Sequence, residues 1–269
     1  MIGIIGTGWL GKPLAEALIA EKHRVKGTTT SPERIPLLED ASIIPYVLAL
    51  TESGPEGAIV DFLQHCTTLI INIPPGLRRN PSSNYVKKIT HLIPYIEKSS
   101  VKNILYISST SVFANLEGFP LITASTPPNA TSNAGKQLIT TEKLLQNTPN
   151  CKTTILRFAG LFGKDRHPAY MLSKKSGIKN PDAPVNLIHL EDCIGIILKI
   201  IATKSWGHIF NASYPEHPSK KNYYDTICKN LQLPPVDYNI TDPSVGKLIT
   251  STKITTQLSY SFSYGINYG

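Results

Sequence analysis

Gly6-Thr7-Gly8-Trp9-Leu10-Gly11 spells G-x-G-x-x-G, a spacing that can hold a pyrophosphate. The chemistry needs a strand before the run and a helix after it. Met1–Gly6 is apolar enough for a buried strand, and Leu10, Leu14, Ala17 and Leu18 then recur at helical spacing. In that setting Gly6 makes the tight turn and Gly8 lets the backbone approach the phosphates. Gly11 lets the helix pack close to the strand. Thr7, Trp9 and Leu10 complete the loop, and the unpaired N–H groups and dipole of the helix start attract the charge. A glycine turn with no ligand is the alternative, and the strand–turn–helix context argues against it.

The end of the second strand selects the dinucleotide. An NAD site usually carries an acid there, bonded to the ribose hydroxyls. This chain has Gly27-Thr28-Thr29-Thr30-Ser31, with Arg34 shortly after, and Glu39 and Asp40 come too late. Hydroxyls with a guanidinium suit a 2′-phosphate, so NADP is the expected cofactor, with NAD as the alternative.

The elements that position these residues follow from periodicity. Arg24–Thr28, Ile43–Leu50, Thr68–Ile73, Asn103–Ser108 and Thr153–Phe158 read as further strands. Helical patterns lie between them, including one over residues 132–147. Strands alternating with helices give parallel β-α-β units, hence an α/β fold with a doubly wound, Rossmann-type sheet. After Gly163 the pattern loosens. A Pro- and Lys-rich loop over 164–186 leads to a helix from Glu191 to Ala202, a strand Gly207–Asn211 and a helix over Ser219–Leu231. Asp192 reads as the cap of the first of these helices, and His189 as a packed loop histidine. The aromatic tail, with Tyr260, Phe262, Tyr264 and Tyr268, is expected to fold back on the body. The organisation expected is a nucleotide-binding domain over 1–163 and a smaller, dependent substrate-side lobe over 164–269.

Bulk properties exclude several classes. A chain of 269 residues, 41% hydrophobic, can bury a large core. Its net charge of +8 is dispersed, without a Lys/Arg block, zinc-finger spacing or RNA-binding aromatic motif, so no nucleic-acid partner is expected. Cys66, Cys151, Cys193 and Cys228 are far apart, which excludes a metal site or redox pair and suits reduced thiols in the cytoplasm. No apolar run is long enough for a bilayer, and the start lacks the basic region of a signal peptide. A monomer or homodimer acting on a small molecule is the partner expectation.

GTGWLG, INIPPG after the fourth strand, YISSTSVF after the fifth, LRFAGLFG after the sixth and the later NLIHLEDCIGIIL resemble the extended or "atypical" short-chain dehydrogenase/reductases. These are the NAD(P)-dependent epimerase/dehydratase group. GTGWLG, GTTTS and RHPAY together are most similar to its YeeZ-like bacterial branch. The resemblance covers nearly the whole chain. It implies that Ile73, Pro74, Pro75 and Ser108 line the cofactor. It also implies a catalytic set of a Ser/Thr after the fifth strand, a Tyr, and a Lys four residues beyond the Tyr. Ser109 falls on the Ser/Thr position, with Ser111 close behind. The helix that should carry the pair reads PNATSNAGKQLITTEKLL. Matching Glu142 to the family's late Glu puts Ala134 at the Tyr and Leu138 at the Lys. Matching Lys136 to the Lys puts Ser132 at the Tyr. Neither alignment supplies a tyrosine.

Replacement chemistry needs a titrating group at the carboxyl end of a strand. Gly163-Lys164-Asp165-Arg166-His167-Pro168-Ala169-Tyr170 lies there. His167 titrates near neutrality and is the first acid/base candidate, its pKa lowered by Arg166. Tyr170, near Lys164 and Arg166, is the second. Substrate binding or loop capping is the plainer role for His167 and Arg166. Arg78 and Arg79 add charge at the same mouth or remain solvated, and Asn186 has no distinguishing pattern. The functional expectation is an NADP-dependent oxidoreductase or epimerase of a small anionic or sugar-nucleotide metabolite. The alternative is a non-catalytic NAD(P)-binding sensor.

Overall fold

The computed structural model describes residues 1–77, 80–163 and 165–266. Arg78, Arg79, Lys164 and Tyr268, named above, lie outside them. In chain order the strands are β1 (Ile2–Ile5), β2 (Val25–Thr29), β3 (Ile44–Thr51), β4 (Gly54–Gly57), β5 (Thr68–Ile71), β6 (Asn103–Ser109), β7 (Leu121–Ile122), β8 (Lys152–Phe158), β9 (Gly160–Phe162), β10 (Leu187–His189), β11 (Ile209–Ala212) and β12 (Leu248–Ile249). The helices are α1 (Gly11–Ala20), α2 (Ile35–Asp40), α3 (Ile59–Leu63), α4 (Tyr85–Glu97), α5 (Asn133–Gln146), α6 (Ala169–Leu172), α7 (Leu190–Ala202), α8 (Lys220–Asn230) and α9 (Thr252–Gln257).

An eight-stranded, mostly parallel sheet runs β11-β8-β6-β5-β1-β2-β3-β4. Every residue of β1 and of β5 is buried, as both faces of a parallel sheet must be when helices cover them. The strand order reverses between β1 and β5, which is where a doubly wound sheet opens a crevice at its carboxyl ends. Ile5 pairs with Ile71, so Gly6 and Asn72 leave the sheet side by side. The short β3–β4 hairpin is antiparallel and ends the sheet with Pro55 and Glu56, both poor partners for a further strand.

The chain groups into two compact units. The first holds Met1–Val112, Thr131–Leu156 and Ile200–Ile209, and the second holds Phe113–Ala130, Arg157–Lys199 and the chain from Phe210 onward. The grouping is interleaved, where the sequence reading expects one boundary near residue 163. Within the second unit Phe162, Ala169, Val185, Leu187, Tyr223, Tyr224, Ile227 and Ile266 form a common core. No helix among the described residues is long and apolar enough to cross a membrane.

The aromatic tail folds back within this second unit. Asp192 is fully buried and is the third residue of α7, inside its first turn and not the cap expected from sequence. Its carboxylate accepts hydrogen bonds from the Tyr260 hydroxyl (2.9 Å), the Ser263 amide (3.0 Å) and the Tyr264 amide (3.2 Å). The Tyr264 ring stacks on His189 with centroids 4.6 Å apart. A Cβ at Gly195 would stand 2.4 Å from the Tyr260 hydroxyl, so a glycine one turn along α7 makes room for that ring.

Asp192→Ala should therefore loosen the tail first. Bonds to a buried carboxylate are among the stronger protein hydrogen bonds, and losing the set should cost about 3 kcal/mol or more in urea unfolding. Limited proteolysis should then cut near residues 260–264. A variant with unchanged stability and an uncut tail would show that the clamp does not hold it.

Candidate functional site

Steric demands around the glycine loop match those of a pyrophosphate cradle. Gly6 has φ +98, and a Cβ there would lie 2.7 Å from the Asn72 carbonyl. A Cβ on Gly11 would lie 2.0 Å from the Gly6 carbonyl, which fixes how closely α1 approaches the end of β1. Gly8 differs from both, because its missing Cβ would face open space. The side-chain-free surface at Gly8 is open, whereas that at Gly6 and Gly11 is filled by the protein itself. No side chain caps α1 and its first turn holds no acid, so the helix start keeps its attraction for an anion.

Thr7 and Thr28 hold this loop in place. The Thr7 amide and hydroxyl both donate to the Thr28 carbonyl (3.1 and 2.8 Å), and the Gly6 amide donates to the Thr28 hydroxyl (3.0 Å). Gly27 is required by the same packing, since a Cβ would meet the Thr7 methyl at 2.6 Å. Asn72 adds a support that periodicity alone does not reveal, its amide donating to the Gly6 carbonyl at 3.0 Å. Leu10 is buried under the loop. Trp9 is half-buried.

Arg34 closes a short 3-10 turn, Pro32–Arg34, and reaches back 27 residues to donate Nη2 to the Thr7 carbonyl at 3.0 Å. That leaves a guanidinium over the end of β2 beside the glycine loop. Of the hydroxyls there, those of Thr28 and Thr29 are spent on the loop and on Ser31, and both residues are buried. Thr30 is exposed and Ser31 half-buried.

At the ends of β5 and β6 the described geometry is as follows. The Ile73 carbonyl accepts from the Tyr85 hydroxyl at 2.9 Å, and Ile73 packs against Gly6. Pro74 is exposed and Pro75 half-buried. Ser108 is buried and donates to Glu142 on α5 at 2.6 Å. The Ser109 hydroxyl accepts from the Ser111 amide at 3.2 Å. Ser109 is half-buried and Ser111 exposed. On α5, Leu138 and Glu142 are buried, Ala134 half-buried and Lys136 exposed. Ser132 is the helix cap, accepting from the Gly135 amide at 3.2 Å. The buried residues of α5 are Gly135, Leu138, Thr141, Glu142 and Leu145.

In the second unit His167 is buried, 5% exposed, and both ring nitrogens are engaged. Nδ1 accepts from the Ala169 amide at 3.1 Å, and Nε2 meets the Tyr223 hydroxyl at 3.0 Å. Tyr223 gives its own proton to the Ile266 carbonyl at 2.7 Å. The hydroxyl proton being spent, Nε2 must be the donor, so the ring is neutral with its proton on Nε2. Burial lowers the His167 pKa to about 4, rather than the charge of Arg166 proposed from sequence. Tyr170, on α6 just beyond, is 43% exposed, and Arg166 is exposed too. Asn186, undistinguished in sequence, is fixed by its Nδ2 to the Lys247 carbonyl at 2.8 Å and by the Ile249 amide to its Oδ1 at 2.9 Å. Among the described residues no three His, Cys, Asp or Glu side chains could hold a metal ion.

The profile of the NAD dependent epimerase/dehydratase family matches residues 3–212. Protein YeeZ of Escherichia coli (strain K12) is 32% identical over 268 residues, covering 98% of this chain and 96% of its own. Among solved structures, UDP-glucuronic acid 4-epimerase from Bacillus cereus in complex with NAD superposes with TM-score 0.79. It is 17% identical and covers 98% of this chain and 92% of its own. A functionally unknown conserved protein from Silicibacter pomeroyi superposes with TM-score 0.78 at 22% identity, covering 98% and 93%. These two structural likenesses speak to fold.

The state of His167 is open to direct measurement. Its folded pKa of about 4 lies below the ordinary 6.5, so folding favours the neutral ring. That contribution to stability is complete above pH 6.5 and fades as pH falls from 6.5 toward 4. Imidazole nitrogen NMR should show an Nε2–H tautomer through neutrality with a midpoint near 4. A midpoint near 6.5 would mean that the ring is solvated.

Proposed function

The chain belongs to the NAD dependent epimerase/dehydratase family, and on that footing we propose that it is an NADP-dependent oxidoreductase or epimerase of a small anionic metabolite, of the sugar-nucleotide kind. The observation that carries the cofactor choice is Arg34, whose guanidinium is held at the Thr7 carbonyl beside a second strand ending in hydroxyls and no carboxylate. A guanidinium has five N–H donors, and the ones left over suit a 2′-phosphate. The open face at Gly8 and the uncapped start of α1 take the pyrophosphate. The NAD-bound Bacillus cereus 4-epimerase and MoeE5, which was solved with UDP-glucuronic acid and NAD, support the sugar-nucleotide reading.

The bound nicotinamide would supply hydride exchange. Ser109 and Ser111 would hold the reacting oxygen through their hydroxyls. Tyr170, exposed and phenolic, would carry the proton. His167, neutral and bonded at both nitrogens, would fix the start of α6 and so the placement of Tyr170. The cytoplasm is the compartment these reduced thiols and this cofactor suit. The second reading, a non-catalytic NAD(P)-binding sensor, draws on one observation. Under neither alignment of α5, Ala134 with Leu138 or Ser132 with Lys136, does a tyrosine stand where the family would place its own.

Cofactor titration by nucleotide fluorescence should show tighter binding of NADPH than of NADH. Arg34→Ala should remove about 1.5–3 kcal/mol of that preference, the worth of a hydrogen bond to a charged group, and leave NADH affinity nearly intact. Gly8→Val should abolish both, because a side chain would occupy the pyrophosphate's place. Equal affinities in the wild type would end the NADP assignment.

In a screen of carbonyl compounds and UDP-sugars with NADPH and NADP, Tyr170→Phe should lower turnover by about two to four orders of magnitude with cofactor affinity unchanged. A change in KM alone would make Tyr170 a binding residue. Absence of hydride transfer across the screen, with cofactor bound, would favour the sensor.

A further inference from the structure

Lys247 immediately precedes β12 in the second unit. Its main chain is held on both sides by Asn186, and β12 itself pairs in parallel with β7. Its ammonium donates to the Phe113 carbonyl. The side chain is half-buried, and among the described residues no carboxylate pairs with it. An ammonium has three donors, and the carbonyl occupies one. The Arg157 guanidinium stands over the ring of the same Phe113, with 5.1 Å to its centroid, so two cations adjoin one residue. Burial lowers the Lys247 pKa to about 8.

Lys26 shows what a purely structural lysine looks like in this chain. It is 6% exposed, donates to both the Asp61 and Gln64 carbonyls (2.6 and 2.8 Å) and lies over the Tyr46 ring. Two of its three donors are held by carbonyls and its charge lies over a ring. Lys247 is as firmly positioned and is left short of partners, and a fixed, partly desolvated cation without a counter-charge is costly unless an anion completes it.

We propose that Lys247 is an anion anchor of the second unit, donating its remaining N–H groups to a carboxylate or phosphate oxygen of the ligand. This names the group that recognises the anionic substrate and rests on the reading given above. The cofactor site of the first unit is not part of it. Phe113 follows Ser111 by two residues in the chain.

The test uses the full chain, with its lysine side chains labelled with ¹³C and ¹⁵N and the Lys247 signal assigned by its absence in Lys247→Met. UDP, inorganic phosphate and D-glucuronate are the probes. Saturating UDP or phosphate should raise the Lys247 pKa above about 8 if the anchor takes a phosphate, and glucuronate should do so if it takes a carboxylate. By calorimetry Lys247→Met should weaken the effective probe at least tenfold and Lys247→Arg should largely restore it. Lys220→Met, which removes another half-buried lysine bonded to a carbonyl, that of Lys179, should change nothing. Met keeps the length of the apolar stem, and unchanged NADPH affinity with an unchanged unfolding midpoint confirms that the variant is folded. If no probe moves the Lys247 pKa, or Lys247→Met binds the effective probe as the wild type does, the anchor is refuted even where NADPH binding holds. A Lys247 shift in a protein that fails to bind NADPH would sustain the anchor and refute the cofactor assignment.

Discussion

An α-helix can approach the end of a parallel strand only as closely as the side chains between them allow. In this chain that distance is set by the absence of one carbon. A Cβ on Gly11 would stand 2.0 Å from the Gly6 carbonyl, so any other residue would push α1 off β1. With α1 in place the Gly6 carbonyl is free to take the Asn72 amide, and the loop is tied to β5 at the point where the sheet changes direction. Gly27 answers the same demand from the other side, letting Thr7 lie flat against β2 and bond the Thr28 carbonyl. Arg34 then needs only the Thr7 carbonyl as a landing point. The loop, its support from Asn72 and the placing of Arg34 all follow from how closely one helix packs.

The parts of the fold that were legible in the sequence are those with a strong period or an unusual residue demand. Buried parallel strands such as TLIINI have apolar runs bounded by polar residues, and their observed limits fall within a few residues of the expected ones. The short pieces were not legible. β4, β7, β9, β10 and β12 have two to four residues each, too few to show alternation, and four of them form two ladders between segments distant in the chain, β9 with β10 and β7 with β12. The interleaving of the units was equally silent, because Phe113–Ala130 joins the second unit through contacts such as Leu116 with Gly246. Motif spacing gave the glycine loop. It could not give Asn72, Asn186 or Lys247, single polar residues whose roles come from partners between 61 and 134 positions away in the chain. The signal available for Lys247 was a lysine next to the apolar pair Leu248-Ile249, which is common in ordinary surface strands.

His167 shows the limit of assigning chemistry from residue type. A histidine after the sixth strand of the doubly wound sheet has the right nominal pKa and the right neighbourhood in the chain. The side chain instead turns inward, because Phe162, Tyr223 and Tyr224 surround it with aromatic edges and Ala169 offers an amide at the start of α6. An exposed tyrosine three residues on is a weaker acid in solution but can be reached. Burial counts for more here than intrinsic acidity, since a neutral ring with both nitrogens bonded is already committed to its neighbours.

The tail clamp has a consequence for the order in which the molecule is made. Phe162 and Ile266 belong to one core cluster, and Asp192 waits for Tyr260, Ser263 and Tyr264. Between them the chain returns to the first unit for Ile200–Ile209. A ribosome delivering residues in sequence exposes Phe162, Leu187 and the apolar face of α7 long before their partners exist, and the buried carboxylate of Asp192 spends that interval in water. The second unit cannot mature behind the first as an independent segment. Its closure is a late event in biosynthesis, when the aromatic tail has emerged, and until then its apolar surface is an invitation to chaperones.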